Sequence, residues 1–374
     1  MAASRTTLTN PENRVFFGER LELARTFRGI TQDALAKEVC ASNALISYYE
    51  NGKKTDPARD LVEAWGEALG FETDFFFEPI QDPFKDEECS FRHRRTAPEV
   101  LKRRARAFGT LIGSIVGYLR TRLELPAYNV PAIAKEKFTT VEDAAQACRA
   151  HWGLGSDTPI THMGRVLENA GIPVVKTLAS TEKVDAFSRR GPTPLVILNT
   201  FKQSTSHWIF DMAHELGHLV CHSQRVTGSV ETEREADAFA SAFLVPARTF
   251  SREFKSAPFS WEHMFELKDR WQVSLAALVY RSYSLGLIDA ITYRRAFQYL
   301  SARGWRKGEP NEPAPQEPEL LLESLGSLYH DLGEHPLQLC ERLHFKPTTF
   351  EELTGIPLPK AARTQDVVRF QRIN

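Results

Sequence analysis

Residues 210–222 read FDMAHELGHLVCH, with His214 and His218 four apart and Glu215 beside the first of them. On a helix, the HExxH spacing puts both imidazoles on one face, one turn apart, where they can converge on a single metal ion. Glu215 lies about 100° round the helix, so it does not ligate and is placed to take a proton from water at the metal. The pentapeptide alone has a plain alternative, an ordinary helix that carries histidines. The next segment of the chain favours the metal. ETEREADAFASAFLVP begins within one loop's reach and spaces Glu233 and Asp237 as ExxxD on a second helix. A two-histidine zinc site needs a third protein ligand and an open position for water. Glu233 can supply the carboxylate, and Asp237, one turn later, can accept the free N–H of a ligand histidine. Glu235 points elsewhere on that helix and is the reserve ligand. A merely solvated acidic face would not run on into the apolar AFASAFLVP.

The rest of the chain must position these groups. Its 374 residues suffice for two or three domains, and 42% hydrophobic with 25% charged residues is the balance of an ordinary soluble protein. The formal net charge of −1 means that any nucleic-acid contact comes from a local patch. Five cysteines include no CxxC pair, which argues against a disulfide framework and against a cysteine-rich zinc module, and favours a reducing cytoplasm. The first residues hold no apolar core of a signal peptide, and no apolar run is long enough to suggest a membrane span.

Residues 15–80 read as short amphipathic helices, with Phe17, Leu21 and Ala24 on one face, Thr31 at a helix start and Asn51-Gly52 at a helix stop. Residues 81–130 read as a basic helical connector, with seven Lys or Arg against one Glu between Arg92 and Arg106. From 131 to 303 the pattern is mixed: IPVVKTL and PLVILN read as strands, and segments 204–222, 231–244 and 274–286 as helices. Residues 304–318 are a Pro- and charge-rich linker, and 319–374 a small helical region. The expected fold class is multidomain and mainly α, with a small α/β domain behind an all-α N-terminal domain.

HELGH followed by EREADAFASAFLVP and preceded by PLVILN resembles the ImmA/IrrE family of zinc metallopeptidases. The resemblance runs over roughly 130–300 and extends to VSLAALVYRSYSLGLI, similar to that family's closing helix. It implies a gluzincin-like α/β domain and one zinc per chain, with His214, His218 and Glu233 as ligands and Glu215 as general base. Asp237 stands where Asn is frequent, and either can hold a histidine. Such an enzyme also needs a donor for the oxyanion, for which His207, Tyr280 and Arg281 are candidates. PLVILN could hold an extended peptide by β-addition. Cys221 shares the face of His214 and is read as a packed residue. Cys89, in the segment DEECSFR, could close the open zinc position with a thiolate and keep the enzyme silent.

GITQDALAKEVCASNALISYYENGKK resembles an Xre/Cro-type helix-turn-helix, over residues 15–70. Ala36 is small where the helices pack, and Ile46 anchors the second. Gln32 and Ser42 stand at helix starts, where polar groups can meet phosphates. Asn43, Ala44 and Ser47 would face the groove, and Lys53 and Lys54 would neutralise phosphates. Residues 1–66 hold nine basic and nine acidic side chains, so DNA binding calls for a homodimer or help from the basic run at 92–106. A module of this kind also binds protein. The resemblances together imply a regulatory protease that cleaves a repressor or antitoxin-like protein in a DNA-damage, phage or other stress response. Its N-terminal domain would recognise double- or single-stranded DNA or a protein partner. The alternative is a DNA-binding transcriptional regulator that uses the peptidase fold only for sensing or dimerisation, although a pure scaffold has no chemical need for Glu215.

Overall fold

A computed structural model describes residues 14–91, 98–131, 140–177, 186–199, 204–222, 229–306 and 308–358. Four short helices come first: α1 (Gly18–Arg28), α2 (Gln32–Glu38), α3 (Asn43–Glu50) and α4 (Arg59–Leu69). Thr31 Oγ1 accepts from Ala34 N at 3.1 Å, and Ser42 Oγ from Leu45 N at 3.2 Å, which satisfies amides that a first turn leaves unpaired. Leu21, Ala24 and Phe27 share a core with Leu35, Ala36, Ile46 and Trp65. Phe17 precedes α1 rather than lying on its face, and Phe16 is the buried aromatic of the pair.

The segment after α4 is not a loose connector. A 3-10 turn at Thr73–Phe77 buries Phe75 and Phe76, and Phe75 stacks on Phe71 with ring centroids 4.1 Å apart. Strand β1 (Cys89–Phe91) comes next, then the 24-residue α5 (Glu99–Arg122). Arg106 pairs with Asp86 at 2.7 Å, and Arg104 Nε donates to Phe27 O at 3.1 Å, so part of the basic run is committed inside the fold. Positions 92–97 of that run lie outside the described residues.

Helices α6 (Val141–His151) and α7 (Met163–Asn169) lead into strands β2 (Val174–Thr177), β3 (Ala186–Arg189) and β4 (Leu195–Asn199). The sheet order is β1-β3-β4-β2, with β2 parallel to β4 and the other two pairings antiparallel. Successive strand residues point to opposite faces. Val175, Phe187, Leu195 and Ile197 enter the first core, while Val174, Ala186, Val196 and Leu198 enter a second. The sheet therefore divides two hydrophobic cores. The second is closed by α8 (Thr205–Cys221), α9 (Val230–Leu244), α10 (Ala247–Phe254), α11 (Trp261–Trp271), α12 (Leu275–Ser284) and α13 (Ala290–Ala302).

The Pro-rich stretch expected as a linker is a strap. Glu309 and Glu312 both reach the buried Lys268 ammonium, at 2.7 and 3.1 Å. Glu312 also accepts from Ser206 N and Ser206 Oγ at the start of α8, and Glu309 accepts from Leu275 N at the start of α12. The C-terminal helices α14 (Leu320–His330), α15 (Pro336–Leu343) and α16 (Pro347–Thr354) bury Leu325, Leu339, Phe345, Phe350 and Leu353 in the first core, with α1–α5. No helix among the described residues is long and apolar enough to cross a membrane.

Glu168, on α7, takes the amides of Glu319 and Leu320 at 3.2 and 3.1 Å and so fixes the start of α14. Burial raises its carboxyl from 4.5 to about 7, against the pull of those amides. The folded state thus holds this proton more tightly than the unfolded one. Its contribution is present below the unfolded value and is lost as pH rises through about 7. Glu168→Gln is expected to flatten the fall in melting temperature between about pH 5 and pH 8, measured by scanning calorimetry against wild type.

Candidate metal centre

The site forms where α8 meets α9. Gly217 of α8 faces α9 so closely that a Cβ there would lie 3.2 Å from the backbone of Ala236. With Ala240 also buried on α9, small residues let the two helices approach. His214, Glu215 and His218 are all fully buried in this contact.

His214 Nε2 and His218 Nε2 face each other at 3.1 Å. Glu233 Oε2 stands 3.5 Å from the first and Glu233 Oε1 3.4 Å from the second. One ligand atom from each of the three residues falls within 4.8 Å of the others. Burial pushes the Glu233 carboxyl up, but the adjoining imidazoles outweigh it and bring it down to about 2. Burial keeps His218 neutral, lowering it to about 4. The donor set is two imidazoles, of which burial keeps His218 neutral, and one carboxylate, a combination that zinc accepts. Glu233 Oε1 is buried without a hydrogen-bond partner, as a carboxylate waiting for a cation would be. These residues fit the ion.

Asp237 Oδ1 lies 2.8 Å from His214 Nδ1. Glu235 does not join the imidazole pair. Its Oε2 sits 2.9 Å from Nε2 of His222, a residue that belongs to neither sequence motif. Burial raises the Glu215 carboxyl to about 7, opposed by His214 and by the hydrogen bond from Ser188. Ser188 Oγ of β3 donates to Glu215 Oε2 at 2.5 Å, and Glu215 Oε1 has no partner. Ser188 carries no sequence signal, since AFSRR has neither the alternation nor the β-branched content of a strand.

Other expectations are corrected. Cys89 lies in β1, fully buried, with its thiol pushed up to about 12 by burial, so it is a packed neutral thiol rather than a mobile thiolate. PLVILN cannot take a peptide by β-addition, because β4 is paired on both sides, by β3 and β2. Arg281 spends its guanidinium on Val245 O at 2.8 Å and on Glu142 at 2.7 Å, which removes it as an oxyanion donor. Tyr280 is 37% exposed on α12, and His207 lies about 10 Å along α8 from His214. Cys221 is half-buried and packs on the second core.

In the N-terminal helices, Ser42, Asn43, Ala44, Lys53 and Lys54 are exposed. Tyr48, also exposed, joins them, with the Lys53 ammonium 5.6 Å from its ring centroid. Ser47 is half-buried and accepts from Asn51 Nδ2 at 3.1 Å. Gln32 is not free to meet a phosphate. Its amide donates at 2.6 Å to Glu50, which also holds Arg25 through two short contacts.

Residues 167–283 match the family model described as the IrrE N-terminal-like domain, of peptidase family M78, and residues 17–74 match a helix-turn-helix domain model. No curated protein matches the chain. Among solved structures, a Mycobacterium tuberculosis transcriptional regulator is similar at 20% identity, over 39% of this chain and 48% of that one, with a TM-score of 0.30. The match thus spans about half the length of that regulator.

Asp237→Ala is expected to weaken zinc binding by about 10–100-fold, because His214 loses the carboxylate that orients it. Competition with a chromophoric chelator measures this. His214→Ala and Glu233→Ala should each abolish stoichiometric binding in the same assay.

Proposed function

We propose that this chain, which carries an IrrE N-terminal-like domain behind a helix-turn-helix domain, is a regulatory zinc metallopeptidase that cuts a specific protein partner. The observation that carries this reading is Glu215, fully buried, held at one oxygen by Ser188 and unpaired at the other, beside the convergence of His214, His218 and Glu233. A carboxyl left half-satisfied in the interior costs free energy that packing alone does not repay. Zinc held by that trio supplies Lewis acidity and activates water at neutral pH. Glu215 Oε1 is the atom that takes up the proton released on attack and returns it to the departing amine. Burial favours the protonated carboxyl, which suits a group that must take up a proton and hold it before passing it on. The Ser188 hydrogen bond aims that oxygen and keeps Oε2 out of the exchange.

The helix-turn-helix supports targeting. Its exposed Lys53, Lys54, Asn43 and Tyr48 suit a phosphate backbone or a DNA-bound repressor, and they bring the peptidase to its substrate in a stress, DNA-damage or phage response. A repressor or antitoxin-like protein is the partner we favour.

Glu215→Gln is expected to bind zinc normally and to lose about 10²–10⁴-fold in cleavage rate. The assay is gel electrophoresis of a repressor encoded beside this protein, with and without chelator. Cleavage by the variant as fast as by wild type would remove Glu215 as the base, and no cleavage by zinc-loaded wild type would leave the non-catalytic reading. For the N-terminal domain, Lys53→Ala with Lys54→Ala should weaken DNA binding across sequences. The salt slope should fall by about one for each phosphate no longer neutralised. Fluorescence anisotropy at several salt concentrations reads both.

A further inference from the structure

The two imidazoles of the centre are not held alike. His214 Nδ1 meets the Asp237 carboxylate at 2.8 Å. A carboxylate only accepts, so His214 carries its proton on Nδ1 and leaves a lone pair on Nε2. His218 Nδ1 instead faces His222 Nδ1 at 2.9 Å. Between two neutral imidazoles at that distance, one nitrogen donates and the other accepts. If His222 donated, His218 would carry its proton on Nε2 and could not ligate through that atom.

The far side of His222 decides the matter. Its Nε2 stands 2.9 Å from Glu235 Oε2. That carboxylate accepts, so neutral His222 holds its proton on Nε2 and offers a lone pair at Nδ1. His218 Nδ1 must then be the donor, which leaves the lone pair of His218 on Nε2, facing that of His214 at 3.1 Å, an arrangement of two acceptors that a bound cation satisfies. Both rings are fully buried, which disfavours a charged imidazole. His222 is itself fixed in place. Its amide closes α8 on His218 O at 3.1 Å, and its carbonyl accepts from the Arg190 guanidinium.

We infer that Glu235 and His222 act in series as positioning residues that lock His218 into the metal-binding tautomer, as Asp237 alone does for His214. The inference rests on the reading of His214, His218 and Glu233 as a metal site. It gives three of the four carboxylates of α9 separate tasks: Glu233 at the ion, Asp237 behind one imidazole, Glu235 two links behind the other.

The test is histidine ¹⁵N NMR of the metal-free protein, together with zinc affinity by chelator competition. In wild type, His218 should show the Nδ1–H form and His222 the Nε2–H form. His222→Asn places an amide oxygen near the lost Nδ1 and should keep both the His218 tautomer and near wild-type affinity. His222→Phe keeps the ring but no acceptor. It should let His218 shift toward Nε2–H and weaken zinc by about 10–100-fold. Glu235→Ala, at a half-buried position, should mix the tautomers of His222 and weaken zinc less. A His218 without a proton on Nδ1 in wild type, or wild-type affinity in His222→Phe, would overturn the inference. Failure of wild type to bind zinc would instead remove the metal reading, while the NMR arm would still judge the hydrogen-bond order.

Discussion

The centre depends on how near α9 comes to α8. Gly217 has no side chain to hold the helices apart, and Ala236 offers only a methyl group opposite it. At that separation the carboxylates of one helix reach the imidazoles of the other. The cost is desolvation. Three imidazoles and one carboxyl are taken out of water, and each polar atom then needs a partner. Asp237, Ser188 and the pair of His222 with Glu235 are those partners. Two oxygens without one, on Glu215 and Glu233, lie where a cation and its water would complete the set.

Around this contact, groups that look free along the chain are committed elsewhere. Glu309 and Glu312 belong to a segment with the composition of a linker, yet both grip Lys268, and Glu312 fastens the first turn of α8. Gln32 looks like a phosphate contact but completes the Arg25–Glu50 pair. Arg281 looks like an oxyanion donor but ties α12 to Val245 and Glu142. In each case a buried partner far along the chain decides the role, and local sequence carries no trace of it.

That explains what is legible in the sequence and what is not. HExxH and ExxxD have fixed helical spacing, and His214, His218 and Glu233, which they single out as ligands, are the residues the structure gathers within 4.8 Å. The helix-turn-helix is legible because caps, small residues and glycine stops are local signals, and Thr31, Ala36 and Ile46 carry them. Strand β3 is not, because AFSR owes its strand to neighbours on both sides and all four residues are buried. Strand β1 is only three residues long and owes its strand to β3 alone, so it is hidden as well, and Cys89 looks like a loop residue with it. His222 gives no signal of its own, because a third histidine eight residues after the first gains meaning only when Glu235 is seen behind it. The C-terminal helices are visible as helices, but their sharing of the first core rests on contacts such as Phe345 with Phe71 and Phe75, some 270 residues earlier in the chain.

Strand β1 belongs in sequence to the stretch between the helix-turn-helix and α5, but hydrogen-bonds along β3, the strand that carries Ser188. Arg189, on the same strand, reaches back to Asp82 and Glu88 on that stretch. The molecule is sewn together at this seam rather than hinged at it. A fragment cut free at residue 130 would bare the outer backbone of β3, leave Arg189 without its counter-charges, and turn a protected border into a surface prone to self-association.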